Sequence, residues 1–314
     1  DFEQLEDEKL SHADFNCILK DSKGYMWFGG RQGLYKWNGY ELKQYMTDPE
    51  NPNSISGKNI SCLYEDSNQN IWIGTSGEGL NVFQPETNDF KKFINNSESP
   101  FSISHDWIMC IFEDSKNRLW IGTQNGLNLY EPESESFTYY LTDFINTSNP
   151  SFLRRTSITD IAEDSYGNLW ITSWMGLHFF FFFYTKSLFY HRNIPGNSFK
   201  TDRLESIHID KEDNLWIGAR GYLHKVDFEY KYDTAYLDIK DYPLRKDGSA
   251  VMVHDVTADK KENLWLATTN GLVYFNRSGN TFSEYTSSPL RSGTISSNLV
   301  RSLYLDDNNI LWIA

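Results

Sequence analysis

A chain of 314 residues is long for one ordinary domain but within the reach of propellers and barrels. Its net charge of −14 argues against nonspecific attraction to nucleic acid or to anionic membrane surfaces. No apolar run approaches the roughly 20 residues of a membrane helix, and a 16% aromatic content favours strands.

In chain order, residues 2–5 alternate like a fourth strand that has lost the first three. A chain opening with neither initiator Met nor signal peptide is expected to be processed or excised. Seven periods follow, each marked by a tryptophan: Trp27, Trp72, Trp120, Trp170, Trp216, Trp265 and Trp312. An aspartate stands six residues before each, at Asp21, Asp66, Asp114, Asp164, Asp210, Asp259 and Asp306. The second period, ISCLYEDSNQNIWIGTSGEGLNVF, and the third, IMCIFEDSKNRLWIGTQNGLNLY, show the pattern in full. Steps of 45 to 50 residues point to a propeller or a solenoid, and the strand count chooses between them.

The second period divides into strands over 60–65, 71–75, 79–83 and 90–94, and the first and second are joined by a polar turn holding Asp66 and Asn70. Four antiparallel strands per period describe propeller blades. The sequence therefore predicts an all-β, seven-bladed β-propeller over residues 1–314, as one domain. The seventh period stops at Ala314 after two strands, so the seventh blade is expected to be incomplete and closed by the N-terminal strand. The natural polypeptide is expected to continue beyond it.

The repeated residues are read as scaffold. The seven tryptophans are expected between blades, and the Asp turns as capped turns rather than calcium loops, since they lack alternating ligands and a terminal Glu. Cys17, Cys62 and Cys110 share one first-strand register with Asp160, Ser206, Asp255 and Ser302, which suits small side chains near a crowded axis. An odd cysteine count without C-x-x-C spacing gives neither a disulfide framework nor a zinc site, although three thiols near the axis leave a metal open. No catalytic motif, cofactor or metal site is expected. A carboxylate pair with lyase or hydrolase chemistry stays open.

Binding residues are sought where the repeat breaks its pattern, in the loops after second strands and in the segments leading into first strands. Arg31, Arg155, Arg203 and Arg220 offer cations on an acidic chain, and Trp107 and Trp174 lie outside the tryptophan register. Arginines with exposed aromatics suit a carbohydrate, especially one carrying carboxylate or sulfate. Repeats four to six depart furthest from the pattern: Thr172 replaces glycine, residues 179–183 are five phenylalanines, and Leu266–Ala267 replaces Ile-Gly. That phenylalanine run is expected either inside, between blades, or as an exposed contact strand.

The motif I-x-x-L/I-x-E-D-x-x-x-x-L/I-W-I-G-T-x-x-G-L-x-x-F/Y, clearest at residues 15–45, 60–94, 108–141 and 264–285, resembles the regulator-propeller repeat of hybrid two-component sensors in glycan-degrading gut bacteria. The resemblance implies a periplasmic sensor propeller of an inner-membrane protein, followed by a second propeller, with histidine kinase activity in later modules. It implies an oligosaccharide ligand, a homodimer, no direct nucleic-acid contact, membrane attachment only through another segment, and no chemistry in this domain. The alternatives are a structural or protein-interaction propeller without a ligand, and a propeller lyase or hydrolase.

Overall fold

The computed structural model describes residues 2, 3, 5, 13–140, 157–181, 186–190, 199–201, 203–231, 234–245, 251–288, 290 and 293–314. Each Trp period builds an antiparallel sheet whose strands lie side by side in chain order. Blade one holds β1 (Phe15–Lys20), β2 (Met26–Gly30), β3 (Gly33–Trp37) and β4 (Leu42–Tyr45). Blade two holds β5 (Ile60–Glu65), β6 (Ile71–Thr75), β7 (Leu80–Gln84) and β8 (Asp89–Phe93). Blade three holds β9 (Ile108–Glu113), β10 (Leu119–Thr123), β11 (Gly126–Glu131) and β12 (Ser136–Tyr140). Blade four holds β13 (Ile158–Glu163), β14 (Leu169–Ser173), β15 (Gly176–Phe181) and β16 (Lys186–Tyr190). Blade five holds β17 (Leu204–Ile209), β18 (Leu215–Ala219), β19 (Tyr222–Lys231) and β20 (Thr234–Pro243). Blade six holds β21 (Val253–Ala258), β22 (Leu264–Thr268), β23 (Gly271–Asn276) and β24 (Thr281–Tyr285).

The expected seventh blade is not there. Among the described residues the fold is an all-β propeller of six four-stranded blades, with a two-stranded sheet of β25 (Leu303–Leu305) and β26 (Leu311–Ile313). Counting tryptophans counts second strands, whereas a blade needs four strands in register. The seventh period supplies two. Among the described residues of the N-terminal strand expected to complete it, Phe2, Glu3 and Leu5 lie outside any strand. Phe2 instead packs edge-on against Tyr285, with ring centroids 5.6 Å apart.

The chain divides into two compact units, one of Asp14–Trp174 and one of Asp1–Ala13 with Met175–Ala314. Within the first, one turn design recurs. The aspartate after each first strand accepts backbone N–H bonds at one oxygen from residues two and four positions on, as Asp66 Oδ1 does from Asn68 (3.0 Å) and Asn70 (2.8 Å). Its other oxygen takes the indole N–H of the tryptophan, at 2.8 Å for Trp27, Trp72 and Trp120 and 3.0 Å for Trp170. The six-residue spacing is the length of hairpin that returns the indole to the aspartate. These turns are capped hairpins, and their left-handed residue is the third after the aspartate, as at Gln69 (φ 64°) and Asn117 (φ 57°).

The indoles lie between blades. Trp27 meets Phe83 of blade two at 5.2 Å, and Trp72 meets Tyr130 of blade three at 5.0 Å. Close approach elsewhere on the second strand requires glycine: a methyl at Gly74 would fall against the Cys62 sulfur and 2.8 Å from Ile108 Cγ2 of the next blade. That contact is why a small thiol occupies this first-strand register. Burial pushes the Cys62 thiol up to about 12 and raises Cys17 and Cys110 well above the ordinary range, which disfavours the thiolate a metal would need.

In the second unit, Trp216 meets Phe275 at 5.8 Å and bonds Asp210 at 2.9 Å. Blade six departs from the design: Asp259 Oδ2 accepts from Tyr274 Oη at 2.9 Å, and Trp265 lies over the Tyr274 ring at 4.5 Å. Of the phenylalanine run, Phe179 and Phe180 are buried, and Phe179 stacks on Tyr230 of β19 at 5.4 Å. Residues 182 and 183 of that run lie outside the described residues.

Candidate functional site

The loops after second strands and the segments leading into first strands meet at one end of their blades, opposite the Asp turns. Backbone bonds hold them side by side: Ser76 N–H to Asn59 O (2.9 Å), Gln124 N–H to Trp107 O (3.0 Å) and Trp174 N–H to Ser157 O (3.3 Å). Linkers also tie down the preceding blade, as when Gly79 N–H bonds Asp106 O at 2.9 Å. This end presents side chains on a backbone fixed by its own hydrogen bonds.

The six residues expected from sequence fall out differently. Arg31 is exposed and its Nε pairs with Asp14 Oδ2 at 3.3 Å, which uses its charge locally. Trp107 is 39% exposed, and its backbone N–H donates to His105 Nδ1 at 2.9 Å. Trp174 is half-buried beside Ser157. Arg220 is exposed at the turn after β18. Arg155 lies outside the described residues. Arg203, just before β17, is the one placed in a charged cluster: it is ion-paired with Glu205, whose side chain is 12% exposed against 47% for the arginine.

That cluster has a backbone cause. In β17 the pairing to β18 passes from Leu204 to Ser206, and in β21 the pairing to β22 passes from Val253 to Asp255. Glu205 and His254 are therefore bulge residues, and a bulge re-aims its side chain out of the strand's alternation. Arg301 holds the corresponding place before β25, one residue ahead of Ser302, whose carbonyl accepts the Ala314 N–H at 3.0 Å. Asp255 Oδ2 accepts the Leu303 N–H at 2.8 Å and so ties β21 to the segment carrying Arg301. Burial, then the charges of Arg301 and Arg203, push the His254 imidazole down to about 4, so it is neutral at physiological pH. His254 Nε2 is buried without a hydrogen-bond partner.

Sequence reasoning found Arg203 but missed Glu205, His254 and Arg301. The signal was available: each stands one residue before the small-residue register at Ser206, Asp255 and Ser302. In the earlier blades that position is Asn16, Ser61, Met109 and Thr159, all uncharged. Two of these serve the scaffold, Asn16 Nδ2 donating to Ile60 O at 2.7 Å and Ser61 Oγ to Ile108 O at 2.7 Å.

Two other polar groupings read as structure. A cleft of about 680 Å³ at the Asp-turn end is lined by Asp210, Lys211, Glu262, Tyr274 and Arg277 among others. Arg277 there bonds Asp210 Oδ2 at 2.8 Å and stacks 5.0 Å from the Trp216 ring, which makes it a strut between blades five and six. His224 Nδ1 lies 2.7 Å from Asp241 Oδ1, but Tyr222 and Phe199 cover the imidazole at 5.7 and 5.2 Å. Among the described residues, no group of three His, Cys, Asp or Glu converges as metal ligands. No described helix is long and apolar enough to cross a membrane.

The family model described as two component regulator propeller matches residues 9–32, 54–77, 102–125 and 153–175. The extracellular domain of BT3049 from B. thetaiotaomicron, described as a hybrid two component system, aligns with a TM-score of 0.76 at 23% identity, covering 95% of this chain and 38% of that one. The extracellular domain of BT4673 from the same organism aligns with a TM-score of 0.72 at 20% identity, covering 96% and 37%. Virginiamycin B lyase from Staphylococcus aureus aligns with a TM-score of 0.67 at 14% identity, covering 97% and 92%. At such identities the likeness is one of fold, and the chain spans well under half of the two-component chains it resembles. No curated protein sequence matches. A segment of each of the first four Trp periods thus matches the two component regulator propeller repeat, and the fold is shared with the extracellular domains of two-component systems.

Proposed function

We propose that this chain is the ligand-binding part of a periplasmic sensor in an inner-membrane hybrid two-component regulator. It recognises an oligosaccharide released from a polysaccharide and performs no chemistry itself. Other segments of the full protein, including a second propeller, carry occupancy through a homodimer to a cytoplasmic histidine kinase and thence to transcription. The observation that supports this reading is the run of regulator-propeller repeats on a fold aligned over 95% of the chain with an extracellular two-component domain. Fold alone does not give function, so the reading stands or falls on binding.

The test is calorimetry of this chain, and of the full extracellular region, against a panel of acidic and neutral oligosaccharides. Binding that Arg220→Ala or Trp174→Ala weakens supports the sensor reading. No binding by either form across the panel overturns it.

One observation favours an interaction role as the second reading. Strand β18 pairs with β19 only as far as Val226, while residues 227–231 and their partners 234–238 continue as a two-stranded hairpin beyond that pairing. Tyr236 on that hairpin is 53% exposed.

A further inference from the structure

Just before a first strand, one residue anchors the loop after the second strand of its own blade through its backbone carbonyl. Asp14 O accepts the Arg31 N–H at 3.1 Å, Asn59 O that of Ser76 at 2.9 Å and Trp107 O that of Gln124 at 3.0 Å. Ser157 O accepts the Trp174 N–H at 3.3 Å, and Met252 O that of Thr269 at 3.1 Å. The carbonyl does this whatever side chain it carries, so the scaffold leaves the side chain open. Blade three fills the position with a tryptophan. Trp107 is 39% exposed, and among the described residues its indole has neither a ring partner nor a hydrogen bond. Trp27, Trp72, Trp120, Trp170 and Trp216 are buried instead, with their N–H groups on aspartates.

The backbone under this indole is held from both sides. Trp107 forms an antiparallel bridge with Ser76 of the blade-two loop, and Gly77 and Gly79 of that loop donate to Asp106 O at 3.2 and 2.9 Å. On the other side lies Gln124, whose carbonyl accepts the Ser157 Oγ–H at 3.5 Å. Asn59, Ser76, Trp107, Gln124 and Ser157 are thus linked in a row from blade two to blade four, and none is charged. The nearby carboxylates are turned to linkers: Asp106 Oδ1 accepts the Asn95 N–H at 2.6 Å, and Glu78 lies over Gly57, where a Cβ would be 2.6 Å from its Oε2. Gln124 and Asn125 are half-buried, and among the described residues their side-chain amides have no protein partner.

We infer that Trp107 is the stacking platform for one uncharged pyranose ring of the oligosaccharide, and that the Gln124 and Asn125 amides bond its hydroxyls. This deepens the sensor reading and rests on it for the ligand being a sugar. A pyranose presents a face of C–H bonds and an edge of hydroxyls. The indole covers the face with a large, rigid surface that has only two torsions to freeze. A carboxamide both donates and accepts, as a hydroxyl does, whereas lysine and arginine only donate. A carboxylate or sulfate brought to this row would lose hydration and meet no cation in it, so the row favours a neutral ring.

The test titrates this chain, and the full extracellular region, with the β-1,4-linked tetrasaccharides of glucose, mannose and xylose and with tetragalacturonate as the acidic probe. A neutral probe is expected to bind, and Trp107→Ala to weaken it about tenfold or more. Trp107→Phe restores part of that loss, because a smaller ring still stacks, and Gln124→Ala weakens binding several-fold. The indole N–H signal of Trp107 in a nitrogen-15 spectrum, identified by its disappearance in Trp107→Phe, moves when the probe is added to the parent chain. A purely structural tryptophan would give neither the rescue nor the moved signal. Neutral binding that ignores both Trp107→Ala and Gln124→Ala overturns the platform and leaves the sensor reading intact. Binding of tetragalacturonate alone also overturns the platform while a sugar sensor stands. If neither form binds any of the four, the platform falls, and the sensor reading falls with it only when the wider panel of oligosaccharides fails too.

Discussion

The Asp14–Trp174 unit repeats itself and the Met175–Ala314 portion of the other does not. In the first, the glutamates that end β5, β9 and β13 each clasp the turn of the preceding blade: Glu65 takes the Ser22 N–H and Oγ–H, both at 2.7 Å. Glu113 does the same to Ser67, at 2.7 and 2.9 Å, and Glu163 to Ser115, at 2.7 and 2.8 Å. In the second, Ile209, Ala258 and Leu305 stand where those glutamates would be. Charge takes over the joints: Lys211 pairs with Glu262 at 2.6 Å, Arg277 with Asp210 at 2.8 Å, and Lys260 donates to Asp307 O at 2.9 Å. The same second portion carries Glu205, His254 and Arg301 at the opposite end of its blades. Repetition marks what every blade needs, and its loss marks where a surface was free to take on something else.

The sharpest way to break that comparison is at the tryptophans. Trp120 is buried, bonded to Asp114 and set 5.3 Å from Tyr140, so Trp120→Ala should cost about 3–5 kcal/mol in urea unfolding. Trp265 is only half-buried and its aspartate is satisfied by Tyr274, so Trp265→Ala should cost clearly less. Equal losses would mean that both units lean on the indole alike.

Mild acid should separate the units next. Burial pushes His178 down to about 3, and His208 is also lowered, chiefly by burial. The unfolded chain takes up a proton near pH 6.5 that folded His178 refuses, so this contribution is present above 6.5 and is lost as pH falls towards 3. At pH 5 the loss from His178 alone is about 2 kcal/mol. Asp14–Trp174 contains only His105. Amide hydrogen exchange at pH 7 and pH 5, corrected for intrinsic rates, should show protection falling in 175–314 and holding in 14–174. His178→Phe should remove part of the difference.

Much of this was legible in the sequence because it is periodic. The Asp-to-Trp spacing, four strands per period and the small residues at Cys17, Cys62 and Cys110 each follow from a geometry that every blade repeats. What was not legible depends on pairing between segments. Seven tryptophans suggested seven blades, but Trp312 belongs to a two-stranded sheet. Arg31 and Arg203 looked alike as loop cations, yet one is tied to Asp14 and the other sits beside two bulges. A bulge is a mismatch between two strands, so His254 gave no sign of it when β21 was read alone. Nor did residues 222–243 announce a hairpin with ten-residue strands, since its length is set by how far β19 and β20 stay paired beyond β18.

At the close-packed second strands the expected effects are smaller. Gly74→Ala must displace Cys62 and Ile108 of the next blade, for about 1–3 kcal/mol. Blade six already carries Ala267 at this place, so Ala267→Gly relieves nothing and should cost under about 1 kcal/mol, from the freedom glycine gives the unfolded chain. Thermal unfolding of the two variants in parallel decides whether the spacing of first and second strands is shared by all blades.

The smallest effect bears most directly on how blades are joined. Glu113→Ala deletes two hydrogen bonds to one turn and should cost about 1 kcal/mol, since a charge-assisted bond at a partly exposed site keeps only part of its full worth. Lys211→Ala breaks an ion pair whose lysine is 76% exposed, which is worth ~0.2–1 kcal/mol at low salt. The two respond differently to ionic strength. At 1 M salt the screening length shrinks to about 3 Å, so the lysine variant should become as stable as the parent. The clasp is held by short directional bonds to an N–H and a hydroxyl, and its loss should persist. Urea midpoints for both variants at low and high salt therefore give a direct reading of the joint. If the Glu113→Ala deficit also vanishes in salt, the clasp is ordinary surface electrostatics, and the contrast between a hydrogen-bonded and an ion-paired half of the molecule fails.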